Sequence, residues 1–150
     1  MTWNWSSLIA VGALTGATPL VAQQVRDLGV EVLVTTADPA LLSGGLWAAV
    51  HASRRLRLAA TVSAGISDGE AAGRGELLGH FLLSPGETTR PGFYLGGGVA
   101  GVVGRVDQGY AVALIGIEQG PRRGSGWALE FGVGGGIRVT AGWRWWRWPR

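Results

Sequence analysis

No cysteine occurs in the 150 residues, which excludes disulfides, thiolate metal sites and cysteine nucleophiles. Lysine is also absent: all 13 basic residues are arginine, a bias that fits genome composition better than function. Charge is scarce, at 15% of residues and a net +3. The largest arginine groups are Arg54, Arg55 and Arg57 and Arg144, Arg147 and Arg150, too sparse for a nucleic-acid surface. No stretch keeps a 3.6-residue period over three turns, which argues against a helical bundle. Two isolated histidines do not make a metal cluster, and no cofactor motif is implied.

One further absence divides the chain, since no Asp, Glu, Lys or Arg precedes Arg26. Leu8 to Ala22 resembles the apolar core of a secretory signal, with small residues toward its end. A spanning helix needs roughly 20 apolar residues. Gly12, Gly16 and Pro19 make this segment a poor one. The expected division is a signal peptide over 1–22 and one domain over 23–150.

What the chain has in abundance is a two-residue beat. Leu56, Leu58, Ala60, Val62, Ala64 and Ile66 alternate with Arg57, Ala59, Thr61, Ser63, Gly65 and Ser67. A strand sends successive side chains to opposite faces, so this run has one apolar face and one small, polar face. Similar runs are read from Val25 to Thr36, Ser43 to Ser53, Ala72 to Leu83, Phe93 to Val103 and Tyr110 to Ile117. Two more start at Trp127 and Ile137, making eight with the first. The sixth is nearly continuous in apolar character, so its facing stays open. Asp38-Pro39, Ser67-Asp68-Gly69, Ser84-Pro85-Gly86 and Gly134-Gly135-Gly136 mark breaks. Short connections favour antiparallel hairpins, and an even number of such strands closes without an exposed edge. The expected fold is all-β, an eight-stranded antiparallel up-and-down barrel preceded by an apolar leader. The 27 glycines, spread through apolar runs, fit close-packed or strongly curved strands.

With its leader, eight alternating runs, interspersed glycines and aromatic-rich last strand (GIRVTAGWRWWRW), the chain resembles small bacterial outer-membrane β-barrels of the OmpA/OmpX-like type. The resemblance implies an integral outer-membrane protein of a Gram-negative-type bacterium, surrounded by outer-membrane lipids. It also implies recognition of the last strand by the barrel-assembly machinery, with Trp143, Trp145 and Trp148 in the signal. Trp127, Phe131, Trp143, Trp145, Trp146 and Trp148 are the expected membrane-interface aromatics.

With the apolar face outside, Glu31, His51, Arg57, Arg74, Glu76, His80, Glu130, Arg138 and Arg144 point into the lumen. Buried charges need close partners, so Arg–Glu and His–Glu pairs are expected there. The function read from this is structural or porin-like with a narrow pore, without enzymatic activity. The alternative is a soluble, lipocalin-like barrel that binds an apolar ligand, with Leu58, Val62 and Ile66 inside and Arg57 in water. A lesser alternative is a lipid A-modifying hydrolase, because His51 and Ser53 stand two apart, as in the His-x-Ser pair of outer-membrane deacylases. Gly96, Gly98 and Gly101 match a G-x-G-x-x-G pattern, but Val99 to Val106 reads as strand and turn, not as the helix a dinucleotide site requires.

Overall fold

A computed structural model describes residues 25–36, 39–85, 89–104, 107–120 and 124–146. The expected signal segment 1–22 and Trp148 lie outside the described residues. Eight strands follow one another: β1 (Val25–Thr35), β2 (Leu41–His51), β3 (Leu56–Ser67), β4 (Glu70–Leu82), β5 (Gly92–Val103), β6 (Gln108–Glu118), β7 (Ser125–Val133) and β8 (Ile137–Trp146). Each pairs antiparallel with its sequence neighbours, and β8 closes on β1 through pairs from Thr35↔Arg138 to Asp27↔Trp146. The result is a closed up-and-down barrel, an architecture that leaves no unpaired edge.

The barrel has two mouths. The near mouth is where β1 begins and β8 ends, and it carries the connections 52–55, 83–91 and 119–124. The far mouth carries 36–40, Asp68–Gly69, 104–107 and 134–136. Asp68 and Gly69 have φ of 52° and 80°, the paired positive values of a tight two-residue hairpin turn. The three-residue loop 134–136 turns β7 into β8, with positive φ at Gly135 and Gly136.

The two faces of the wall differ sharply. From Leu28 onward, the outward positions of the strands hold only Leu, Val, Ile, Ala, Gly, Phe or Trp among the described side chains, apart from Ser125 at the near-mouth end of β7. In β3, Leu58, Val62 and Ile66 are 49, 72 and 59% exposed while Arg57 is 1% exposed. This facing is opposite to that of the soluble alternative. β6, ambiguous in sequence, turns Val112, Leu114, Gly116 and Glu118 inward and Ala111, Ala113 and Ile115 outward. Two apolar clusters fill parts of the interior: Trp47, Leu78, Tyr94, Val112 and Leu114 with their alanine neighbours, and Leu33, Leu41 and Ala72 toward the far mouth.

Candidate functional site

Inward side chains from β3, β4, β6, β7 and β8 meet in one alternating series of ions. Arg57 donates from Nη1 to Glu118 at 2.9 and 3.0 Å, and Arg144 Nη1 donates to the same carboxylate at 2.7 Å. Arg144 Nη2 continues to Glu130 at 2.7 Å, whose second oxygen accepts from Arg138 Nη1 at 2.8 Å. Arg138 then reaches across to Glu76, through Nη2 at 2.7 Å and Nε at 3.3 Å. Arg74 Nε closes the series on Glu76 at 2.7 Å, and its Nη2 anchors on the Gly134 carbonyl at 3.1 Å. The order Arg57–Glu118–Arg144–Glu130–Arg138–Glu76–Arg74 gives every carboxylate two guanidinium partners. Planar guanidinium forks suit this role, because each presents several N–H donors in fixed directions.

The series crosses the lumen. Arg57 and Glu118 lie on β3 and β6, Arg138 and Glu76 on β8 and β4, and neither pair of strands is adjacent in the wall. Such bonds fix the barrel's cross-section in a way the wall's own hydrogen bonds do not. Their cost is desolvation, which the interior repays only through good geometry and near-complete pairing.

Aromatic rings and glycines complete the packing. The Arg144 guanidinium lies 4.0 Å from the Trp47 ring centre and 5.6 Å from that of Tyr94. Arg57 approaches the same two rings at 5.2 and 4.9 Å, so both cations contact π faces as well as carboxylates. The Tyr94 hydroxyl donates to Glu130 Oε1 at 2.8 Å. Its ring fills the space a side chain at Gly116 would need, which explains that glycine's place on the inner face of β6. Gly29 similarly leaves room beside Arg144 and Trp47.

The candidate lumen residues are therefore found together, with differences among them. Arg57, Arg74, Glu76, Glu130, Arg138 and Arg144 belong to the ion series. His80 is fully buried and its Nδ1 lies 3.2 Å from Arg57 Nη2, so its contact is with an arginine rather than a glutamate. His51 sits partly exposed near the near mouth, with Nδ1 3.5 Å from Asp27. Glu31 is 5% exposed on the inner face, outside the series, and its Oε1 has no hydrogen-bond partner.

Four participants escape the sequence reading. Glu118 does so because the sixth run is taken to end at Ile117 with its facing unassigned; counting in twos from Gly116 would find it. Asp27, Trp47 and Tyr94 share the parity of the polar face, but nothing in the local pattern pairs them with particular ions.

The aromatic expectations divide. Phe131, Trp143 and Trp145 project outward and Trp127 is half-buried. Trp146 corrects the sequence reading: it is 8% exposed and faces inward. It shares the parity of Arg144, and its ring occupies the space beside Gly126, which has no side chain to exclude it.

Ser53 lies in the β2–β3 turn, where its Oγ accepts from the backbone N–H groups of Arg55 and Leu56 at 3.3 and 3.0 Å. That is a turn-capping role. A depression at the far mouth, lined by Thr35, Leu41, Ala72, Arg74 and Tyr110 among others, encloses about 20 Å³, room for a water molecule or two. Among the described residues no group of three or more His, Asp or Glu side chains is placed to hold a metal.

No family model matches the chain, and no curated protein matches it in sequence. Among solved structures, the N-terminal β-barrel domain of Pseudomonas aeruginosa OprF is similar, with a TM-score of 0.56 and 12% identity. The match covers 81% of this chain and 96% of that one. At that identity the likeness is one of fold.

Proposed function

We propose that this protein is an integral outer-membrane β-barrel of structural type, its lumen plugged by the Arg–Glu series and its apolar ring. The observation that carries the proposal is the outer wall, whose described outward face from Leu28 onward has one polar side chain, Ser125 at the near-mouth rim. An apolar surface that wraps a whole molecule far exceeds the patches soluble monomers expose, and it suits hydrocarbon. Strand length agrees: an eleven-residue strand such as β2 rises roughly 36 Å, and a tilt near 45° brings that to about 25 Å, the height of a bilayer's apolar band. The fold shared with an outer-membrane protein's barrel domain supports the same location.

The plug is supported by burial. Arg57, His80, Tyr94 and Arg138 are each 0 or 1% exposed, whereas side chains lining a water-filled channel retain accessible surface. A barrel of this kind acts as a wall element or a scaffold and has no enzymatic activity. Its partners are the surrounding outer-membrane lipids and, during biogenesis, the barrel-assembly machinery through β8.

Two experiments test this. The folded protein should require detergent or lipid and migrate faster unheated than boiled; free solubility without detergent would overturn the membrane assignment. Reconstituted in a planar bilayer, it should give no discrete conductance steps. Steady channel openings would instead favour a narrow pore in which the same ions rearrange.

A further inference from the structure

Charges outside the lumen are unequally divided between the two mouths. Among the described residues, the exposed charged side chains at the near mouth are Arg54 and Arg55 in the β2–β3 turn and Arg90 in the β4–β5 connection. At the far mouth they are Asp68 in the β3–β4 turn, Glu70 at the start of β4 and Asp107 before β6. The remaining connections follow the same trend in sequence, with Arg122 and Arg123 between β6 and β7, although Glu87 lies between β4 and β5 and Arg105 between β5 and β6.

The aromatic residues of the outer wall show the same bias. Phe81, Phe93, Trp127, Trp143 and Trp145 all lie within three residues of a strand's near-mouth end. The outward positions bordering the far mouth are aliphatic or glycine on all eight strands, from Val34 and Leu42 through Val103 and Gly109 to Val133 and Ile137. Phe131, two residues inside the far end of β7, is the exception.

The backbone of the turn that carries two of the near-mouth arginines is anchored. The Ser53 hydroxyl caps the turn that carries Arg54 and Arg55, and the Arg55 carbonyl accepts from Leu82 N–H at 2.8 Å, fastening the turn to β4. The pairing Leu56↔Phe81 sets an outward-facing aromatic residue on the strand beside the turn's last residues.

We infer that the near mouth is a docking rim for anionic phospholipid headgroups, with the far mouth excluded from that role by its carboxylates. The inference rests on the membrane reading above and adds to it a lipid class and a side. The chemistry is complementary at two depths. Trp and Phe rings settle at the boundary between acyl chains and headgroups, and guanidinium groups on long apolar stems extend past them to phosphate oxygens, which they bind in forked pairs. Anionic lipids have a net negative charge for the rim to attract, whereas zwitterionic phosphatidylcholine presents each phosphate beside its own ammonium. At the far mouth, Asp68, Glu70 and Asp107 repel the same headgroups.

The test is lipid selectivity at the barrel surface. The full chain is reconstituted in phosphatidylcholine vesicles doped with spin-labelled phosphatidylglycerol or spin-labelled phosphatidylcholine, and the motionally restricted fraction of each probe is measured at low salt. The expected result is a restricted fraction for phosphatidylglycerol roughly twofold or more above that for phosphatidylcholine, falling toward parity near 0.5 M salt as the charges are screened. The variant R54A/R55A/R90A should lose at least half of the excess; these exposed residues lie outside the lumen ion series, and unheated mobility verifies that the barrel has folded. Neutralising the far mouth with D68N/E70Q/D107N should leave the preference intact or raise it. Equal restriction of both probes, or an excess untouched by the arginine substitutions, overturns the docking rim while leaving the membrane reading standing. No restricted component with either probe overturns both.

Discussion

Removing Arg138 probes the lumen most sharply, because it is one of the two cations that bridge a pair of carboxylates in the ion series and is 0% exposed. It gives two hydrogen bonds to Glu76 and one to Glu130. The substitution Arg138→Met keeps most of the side chain's length and apolar stem while deleting the guanidinium. Glu76 is then left with Arg74, and Glu130 with Arg144 and Tyr94, so two buried carboxylates each lose a cation. Deleting one partner of a buried, hydrogen-bonded ion pair costs about 3–5 kcal/mol, since the remaining charge stays desolvated. Urea unfolding in lipid vesicles, followed by tryptophan fluorescence, would measure the loss. Adding Glu76→Gln should recover part of it, with a coupling energy of about 0.5–3 kcal/mol between the two sites. A loss below about 1 kcal/mol for Arg138→Met, the range of solvent-exposed pairs, would contradict a desolvated ion series. It would mean that water reaches the ions.

Other substitutions test packing and facing. Gly116→Ala places a methyl group where the Tyr94 ring lies and should cost about 1–3 kcal/mol by overpacking. Gly101→Ala, with nothing within 4 Å of the added carbon, should unfold at nearly the wild-type urea concentration. Tyr94→Phe removes the hydroxyl that donates to Glu130 and should destabilise the barrel by about 1.5–3 kcal/mol in the same assay. An arginine scan of the outer wall should depend on depth: Val62→Arg, halfway along β3, should cost about 2–4 kcal/mol, and Ile66→Arg, beside the far mouth, about 0–1. Equal costs at the two sites would count against a bilayer around the wall.

The barrel is legible in the sequence because its wall separates two environments of opposite character. Where one face must be apolar throughout and the other small or charged, parity survives in the sequence, as in Leu56 to Ser67. It blurs where the interior is itself apolar. Val112 and Leu114 of β6 pack inside against Tyr94 and its neighbours, so that strand reads as continuously apolar and conceals Glu118 at its end. The pairing of particular ions is not legible, because Arg57–Glu118 and Arg138–Glu76 span non-adjacent strands whose relative height depends on the register of the whole barrel. Trp146 misleads by residue type: tryptophan suggests an interface, whereas its place two residues after Arg144 puts it inside.

If one face of the wall meets lipid and the other a dry interior, the two faces differ in what can reach them. Native cysteine is absent, so single cysteines along β3 can report each face separately. Nitroxide labels on Leu58→Cys, Ala60→Cys, Val62→Cys and Ala64→Cys in vesicles should collide freely with oxygen and rarely with a water-soluble nickel complex. Thr61→Cys and Ser63→Cys, left unlabelled, should resist a membrane-impermeant thiol reagent until the barrel is unfolded. Nickel access at Leu58 or Val62 would contradict a lipid-facing wall, and rapid thiol reaction at Thr61 or Ser63 would contradict a closed lumen.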